Sequence, residues 1–393
     1  MAMAPFILVA NPGSASRKYA LYEGEQAKAH LHFEYEEGRV VCTIDIGDDQ
    51  EKIVTDLPNV TTAIERVMPL LEERKILPKD GAIGHIGVRI VAPTGFFLHD
   101  HIIDDDTLAQ LEKIRVMAPL HIEAVLEELR SLRTGFPDTT IVGISDSAFH
   151  NSKPDYAWNY GLPLKDADRL DIKRFGYHGL SVAATVRSLK EISKLPPKLI
   201  VCHLGSGASV TAVGHGKSRD TTMGYSPLEG VIMATRVGNI DPTALLVLKS
   251  SMSFDDSQLE HYLNEQSGLL GISGSSSDIR ELLKSEAGGD HLAELALKTY
   301  IFSVQKAIGQ MAAVLDGADM LVFTGTVGER SAPIRERIMK TLHYLDFILD
   351  DDTNQKCFSP REPQCISRLA HSRPVFVIPA DEAAEIARRS LAI

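Results

Sequence analysis

Two stretches of the chain carry one design: Ile7-Leu8-Val9-Ala10-Asn11-Pro12-Gly13-Ser14-Ala15-Ser16 and Leu199-Ile200-Val201-Cys202-His203-Leu204-Gly205-Ser206-Gly207-Ala208-Ser209. Each opens with a short apolar run, meets a polar residue, and passes through a small turn containing Gly-Ser. A second apolar run then follows, Tyr19 to Tyr22 in the first case and Ser209 to Val213 in the second. Asn11 corresponds to His203, and Gly13-Ser14 to Gly205-Ser206; about half the chain lies between them. Two ordinary hairpins would account for the match. So would a duplicated domain with two glycine/serine turns facing one cleft. Such turns present backbone N–H groups and hydroxyls to an anion at close range, and two of them would suit a polyphosphate.

Outward from these hairpins the pattern alternates between strand and helix, which favours an α/β protein. Further strands are expected at His30 to Tyr35, Arg39 to Ile46, Ala82-Ile83, Val88 to Val91, Thr140 to Ile144, Met320 to Thr324 and Val375 to Ile378. Helical spacing runs over Val60 to Lys75, Thr107 to Val116, His121 to Leu132 and Tyr300 to Leu315. The stretch from Leu228 to Tyr300 reads as mainly helical, broken by the Gly/Ser-rich Gly271 to Ser277. Asn151 to Arg174 reads as irregular, with a domain boundary near its start.

Composition limits the possible functions. The 393 residues carry 41 lysines and arginines against 53 aspartates and glutamates, a formal charge of −12. That balance argues against a chain held on nucleic acid or anionic lipid by bulk charge. No apolar run reaches the roughly 18 residues of a membrane span, and the first residues, Met1-Ala2-Met3-Ala4-Pro5, do not read as a signal peptide. Cys42, Cys202, Cys357 and Cys365 form no C-x-x-C pair, which speaks against structural zinc and fits a reducing compartment. A cytoplasmic enzyme or small-ligand binder is the expectation.

Familiar motifs are absent or incomplete. Gly216-Lys217-Ser218 resembles the tail of a P-loop, but Thr211 stands where that motif needs its first glycine, so a hairpin turn is expected there. No complete G-x-G-x-x-G opens a helix, and neither G-x-S-x-G nor H-E-x-x-H occurs in a usable setting. The informative residues are polar groups where apolar strands end. Arg89 lies in the otherwise apolar Val88-Arg89-Ile90-Val91, where a structural ion pair is the plain alternative. Asp146 follows the Ile141 to Ile144 run and could cap a helix; His121 could simply open one; Glu382, in Pro379-Ala380-Asp381-Glu382, could be a helix N-terminal acid. His178 lies in Gly176-Tyr177-His178-Gly179, and Arg236 in Ala234-Thr235-Arg236-Val237-Gly238. Together these residues offer anion binders, imidazoles and carboxylates but no activated serine or cysteine. That inventory suits phosphoryl transfer, where positioning and charge neutralisation dominate.

On these residues the chain resembles the acetokinase family, within the sugar kinase, Hsp70 and actin superfamily. The resemblance runs from about Phe6 to Arg388 and rests on ordered motifs: NPGSASRK, APLH, SDSAFH, GYHGLS, CHLGSGASV, DTTMGYSPLEGVIMATRVGNIDP, SGLLGISGSSSDIR and IPADE. It implies two duplicated actin-like, ribonuclease H-like domains of βββαβαβα type with a cleft between them. The first would span 1–150, joined by a C-terminal helix at about 382–393. The second would span 151–381 and carry the nucleotide site and a homodimer interface. The implied reaction is reversible transfer between ATP and acetate, giving acetyl phosphate and ADP, with Mg²⁺.

The resemblance also implies roles. Asn11, Ser14, Ser16 and Lys18 fall in the phosphate-side motif. Arg89 and Arg236 bracket the substrate carboxylate and the transferring phosphoryl group, Asp146 is the catalytic aspartate, and His121 and His178 are active-site histidines. Glu382 is associated with Mg²⁺, as is Asn11. Val91, Leu120, Tyr177 and Pro227 fall at a small acyl pocket. His203, Gly205, Ser206 and Gly207 form a phosphate loop, and Asp278, Ile279 and Arg280 fall on the adenosine side with Thr326, Gly328 and Arg330.

The chain also departs from the family pattern. Ala92-Pro93-Thr94 replaces the usual His-Gly-Gly, Ser206 an Asn, and Tyr177 a Phe, which would add a hydroxyl to the acyl pocket. Gly325-Thr326-Val327-Gly328-Glu329-Arg330, read as a loop, replaces A-G-I-G-E-N. These changes keep other acids (propionate, butyrate), another donor such as pyrophosphate, and a non-catalytic binding paralogue in view.

Overall fold

The computed structural model describes residues 6–13, 16–78, 81–115, 119–368 and 370–393, leaving aside the side chains of 119–121. It contains two mixed sheets. The first is built from β1 (Phe6–Pro12), β2 (Ser16–Glu23), β3 (Gln26–Glu36), β4 (Arg39–Ile46), β5 (Asp49–Val54), β6 (Ile83–Ile90), β7 (His101–Ile102) and β8 (Thr140–Ser145). Its strand order is β5-β4-β3-β2-β1-β6-β8-β7. The second is built from β9 (Lys198–Leu204), β10 (Ala208–Gly214), β11 (Lys217–Thr221), β12 (Met320–Thr324), β13 (Gln364–Cys365) and β14 (Val375–Val377), in the order β11-β10-β9-β12-β14-β13.

The two hairpins quoted first occupy equivalent places. β1 pairs antiparallel with β2 and parallel with β6; β9 pairs antiparallel with β10 and parallel with β12. The series β3-β2-β1-β6-β8 in one sheet therefore repeats as β11-β10-β9-β12-β14 in the other, three antiparallel strands followed by two parallel ones. Two unrelated hairpins would not share this order, so the duplicated-domain alternative is the one the topology supports. β1 and β9 are buried along almost their whole apolar runs, as central strands covered on both faces must be.

The chain divides into two compact units, Met1–Ala148 with Asp381–Ile393, and Phe149–Ala380. In the first, the helix Glu382–Ser390 lies on β6: a Cβ added to Gly87 would stand 2.2 Å from Ser390 Oγ and 2.6 Å from Ile386 Cγ2. That close approach explains why Gly84-His85-Ile86-Gly87 interrupts the apolar pattern yet stays within one strand, where the sequence suggested two short ones. β5 was not legible in the sequence because it is an exposed edge with the charged run Asp49-Gln50-Glu51-Lys52.

Also in this unit, the helix Pro119–Gly135 is tied to β2 through Glu128, whose Oε1 accepts a hydrogen bond of 2.8 Å from the Tyr19 hydroxyl and whose Oε2 lies 3.4 Å from Arg17 Nε. Burial is the largest influence on this carboxyl; it outweighs Tyr19 and Arg17 and pushes the pKa from 4.5 up to about 7. Between these values the folded chain keeps a proton that the unfolded chain has released, so stability falls as pH rises through that window and levels off above it. Glu128→Gln, neutral throughout, is expected to lose this slope. Its Tm relative to wild type should rise by a few degrees between about pH 5 and pH 8, as read by thermal melts. A constant difference would exclude the assignment.

In the second unit, the long helix runs His291–Val314, starting earlier than the expected Tyr300 because Asp290 caps it, accepting from Leu292 N at 2.9 Å and Ala293 N at 3.1 Å. Its buried stripe, Ala293, Ala296, Leu297, Tyr300, Val304, Ala307, Ile308 and Met311, keeps helical spacing. Two local readings differ here. The stretch from Leu228 to Tyr300 is mainly helical as expected, but residues 228–241 at its start are irregular. Gly230 and Gly238 turn the chain there with φ of +116° and +75°, and a Cβ on Gly238 would stand 2.8 Å from the carbonyl oxygens of Gly230 and Val231. Gly325 to Arg330 is a short helix leaving β12, not a loop. At its start Gly325 has φ +79°, and a Cβ would stand 2.8 Å from Leu204 O. Gly216-Lys217-Ser218 is, as expected, at the turn joining β10 to β11. Among the described residues no helix is long and apolar enough to cross a membrane.

Candidate active site

In the first unit, three residues far apart in sequence meet. Arg89, near the end of β6, places Nη2 3.0 Å from Asp146 Oδ2 and Nη1 3.4 Å from Glu382 Oε2. Asp146 is fully buried just past β8, its N–H donating to Ile90 O at 2.9 Å. Glu382 opens the helix Glu382–Ser390, whose cap is Asp381. The plain alternatives weighed for these residues are thus partly true: Arg89 does form ion pairs, and Glu382 is a helix N-terminal acid. The fork is nonetheless not closed on itself, because Arg89 Nε is buried without a hydrogen bond. Burial works against the Arg89 charge, but Asp146 and then Glu382 outweigh it and hold the guanidinium protonated more firmly than usual.

Asp100 keeps the carriers of both carboxylates in place. Its Oδ1 accepts from Ser145 N at 2.8 Å, and its Oδ2 accepts from Arg389 Nε at 2.8 Å. One carboxylate thus joins the end of β8 to the helix that begins with Glu382. On β1, Asn11 stands directly across from Lys18 of β2, so the two side chains share a face; Lys18 is exposed and Asn11 half-buried. Ser16 closes the turn by accepting from Gly13 N at 2.9 Å. Val91 is half-buried just beyond β6. Ser14, and the side chains of Leu120 and His121, lie outside the described residues.

In the second unit the convergence is around Gly205 and Gly207, in the turn between β9 and β10. His178 precedes the helix Gly179–Ile192 with left-handed φ 60° and ψ 20°, a conformation that a non-glycine residue keeps only when its surroundings impose it. Its Nδ1 is 3.0 Å from Ser209 Oγ. A Cβ on Gly207 would lie 3.1 Å from His178 Nε2 and 3.5 Å from Arg236 Nη1, so this glycine, His178 and Arg236 border one space. A Cβ on Gly205 would lie 3.8 Å from His203 Nε2 and 4.0 Å from Thr326 N. The rings of His178 and His203 are in contact, with centroids 4.1 Å apart and their planes tilted by 34°. Ser206 O accepts from Ala234 N at 3.1 Å, joining this turn to the segment that carries Arg236.

The remaining candidates are more dispersed. Tyr177 is buried, but its hydroxyl donates to Tyr225 O at 2.6 Å, so the expected extra polar group in an acyl pocket is spent on fixing the irregular 222–241 segment. Pro227, in that segment, accepts from Arg236 Nη1 at 3.4 Å. Asp278 caps the helix Ile279–Ala287 and holds the exposed Arg280 side chain, while Ile279 is buried. Thr326 and Arg330 are exposed on the short helix, and Gly328 is buried in it. Two residues there escaped sequence reasoning. Glu329 accepts from Gly325 N at 3.0 Å and Ala380 N at 2.8 Å. The buried Arg335 donates to Gly328 O, Asn354 O and Cys357 O, each at 2.8 Å. Acids and arginines at such spacing are common on helices, and only the fold reveals their distant carbonyl and amide partners.

The sequence profile of the acetokinase family matches residues 6–388. The chain belongs to the acetokinase family. It is 35% identical over 387 residues to an acetate kinase of Dichelobacter nodosus, covering 98% of this chain and 97% of that one. Among solved structures it is similar to Porphyromonas gingivalis acetate kinase, with a TM-score of 0.88 and 30% identity, covering 99% of this chain and 100% of that one. It is also similar to a propionate kinase from Francisella tularensis, with a TM-score of 0.90 and 32% identity over the same shares. The repeated sheet order and these matches identify the fold of this acetokinase family member as duplicated actin-like domains.

Proposed function

We propose that the chain is an acetate kinase that transfers a phosphoryl group reversibly between ATP and acetate, giving acetyl phosphate and ADP by direct in-line transfer. The observation that carries this reading is Arg89 held by Asp146 and Glu382 at the end of β6, in a chain of this family. Acetate is already ionised near neutral pH, since a carboxyl group's reference pKa is about 4, so no base is needed to make the nucleophile. The obstacle is bringing one anion against a polyanion. Arg89 binds the acetate carboxylate, with Asp146 setting the plane of its fork. Arg236 and the Nε2–H of His178 take the charge on the transferring phosphoryl group, and the N–H groups of the Gly205–Gly207 turn hold the donor's phosphates. Residues 1–150 with 382–393 serve the acceptor in this reading, and 151–381 serve the nucleotide.

Magnesium fits the donor set as a guest of the phosphates. Among the described residues no group of three or more His, Cys, Asp or Glu could hold a metal. Mg²⁺ in kinases is usually held by one or two protein oxygens, waters and the substrate phosphates. Asn11 and Glu382 would supply those protein oxygens, and the bound ion would neutralise phosphate charge.

The test is a grid of donors (ATP, GTP, pyrophosphate) against acids (acetate, propionate, butyrate) with Mg²⁺ and hydroxylamine, read as hydroxamate. ATP with acetate well ahead is expected. Another pair ahead would favour a related acid kinase, a reading supported by the similarity to the propionate kinase and by the buried Ala92 and Pro93 in place of His-Gly-Gly. Binding without product would point to a non-catalytic paralogue. The free cysteines are consistent with work in the cytoplasm. A homodimer is also part of the proposal. Leu246 and Val247 on the helix Pro242–Met252, and Leu292, Leu295 and Phe302 on the long helix, are exposed apolar residues of the kind an interface covers. Sedimentation at working concentration is expected to give twice 43.0 kDa; a monomer would remove the dimer.

A further inference from the structure

We propose that Ser181 and Ser209 are positioning residues that lock His178 and His203 in the tautomer carrying hydrogen on Nε2, aimed at the Gly205–Gly207 turn. The inference rests on the function proposed above and extends it to two side chains with no assigned role.

The two serines form a cross-brace. His178 stands at the start of the helix Gly179–Ile192 and Ser181 lies three residues further on; His203 of β9 and Ser209 of β10 are direct cross-strand partners. Neither histidine is held by the serine of its own element. His178 Nδ1 meets Ser209 Oγ of the hairpin at 3.0 Å, and His203 Nδ1 meets Ser181 Oγ of the helix at 2.8 Å. Both serines are fully buried, so neither hydroxyl is there for water. The effect is that the helix and the hairpin each fix the other's imidazole, and both rings turn their Nε2 edges towards the glycine turn.

Heavy-atom distances alone leave the direction of donation open; the surroundings decide it. Beside Gly207, His178 Nε2 shares its space with Arg236 Nη1, whose fixed charge disfavours a second cation there. The rings, 4.1 Å apart, also disfavour both being imidazolium at once. A neutral His178 that must offer an N–H to a phosphoryl oxygen needs its hydrogen on Nε2. Nδ1 is then an acceptor, and the Ser209 hydroxyl donates to it. His203 turns its Nε2 edge to Gly205 in the same turn, so an N–H offered to an anion there likewise leaves Nδ1 to accept from the Ser181 hydroxyl.

The decisive experiment uses the full-length chain labelled with ¹⁵N-histidine. Near neutral pH the Nδ1 signals of His178 and His203 are expected at acceptor-type shifts and the Nε2 signals at N–H-type shifts, assigned by His→Gln variants. Nδ1 carrying the hydrogen in either ring would overturn the proposal for that ring. This readout needs no turnover, so it stands or falls separately from the assigned reaction. In kinetics, Ser209→Ala is expected to lower kcat by roughly 10- to 100-fold, the range known for losing the outer hydrogen-bond partner of a metal-bound histidine, with KM for acetate changed less than about threefold. Ser209→Thr, which keeps the hydroxyl, should recover much of that loss. Full kcat in Ser209→Ala, or a loss of kcat with the His178 Nδ1 signal unmoved, would refute the positioning role.

Discussion

Arg89→Ala is expected to lower kcat/KM for acetate by about a thousandfold, the upper range for removing one positioned charge-stabilising donor. It should also lower thermal stability. The structural reason is that Arg89 does two things with one fork. Its Nη2 neutralises Asp146, a carboxylate with no access to water, and its Nη1 reaches Glu382 at the start of the last helix. Removing one partner of a buried ion pair typically costs about 3–5 kcal/mol, because the remaining charge keeps its burial and loses its compensation. Activity and Tm should therefore fall together in Arg89→Ala. Arg89→Lys separates them: a lysine retains charge beside Asp146 but has no planar fork for a carboxylate. Lysine is expected to recover most of the Tm and little of the kcat/KM. If Arg89→Lys restores activity as fully as stability, Arg89 is a structural ion pair and does not bind the acceptor. Steady-state kinetics and thermal melts on the same preparations check both arms.

This arrangement also indicates what a sequence can and cannot disclose. Arg89, Asp146 and Glu382 were each nominated by a local sign, a charged group inside an apolar run for Arg89 and one shortly after such a run for the two acids. Each had a sufficient structural explanation alone, and only their meeting within 3.4 Å turns three weak signs into one candidate site. The duplication was visible because two central strands buried on both faces leave continuous apolar runs, and the glycine turns mark their ends. Residues 228–241 were misread because apolar residues such as Val231 and Met233 are buried in an irregular path rather than along a helix face. The short helix after β12 was misread because a glycine with φ +79° looks like a loop when the approach of Leu204 cannot be seen. Ser181 and Ser209 lie within two of the ordered motifs, yet nothing in the sequence signals their partners: a serine's partner is chosen by the fold, and both of these reach to another element.

Arg236→Lys is expected to lose roughly two to three orders of magnitude in kcat while leaving KM for acetate within a few-fold. The substitution is informative because the backbone on both sides of Arg236 is held independently of its side chain. Val237 N donates to Leu263 O at 3.0 Å, Ser267 N to Thr235 O at 2.9 Å, and Thr235 Oγ1 to Asn264 O at 2.7 Å. Gly268, with φ +62°, packs against this segment so closely that a Cβ would stand 2.3 Å from Met233 O and 2.8 Å from Arg236 O. A lysine at this position should leave that frame intact and keep the charge. What it cannot keep is the geometry. Arg236 Nη1 lies 3.4 Å from Pro227 O and also borders the space beside Gly207, so the protein fixes this edge of the planar fork where an anion would be met. A single ammonium on a flexible stem must choose between these tasks. The loss should therefore appear in the chemical step, with Tm unchanged, and the hydroxamate assay at saturating ATP and acetate measures it directly. Near-native turnover in Arg236→Lys would mean that only the charge matters there, and the role of Arg236 in holding the phosphoryl group through its fork would have to be abandoned.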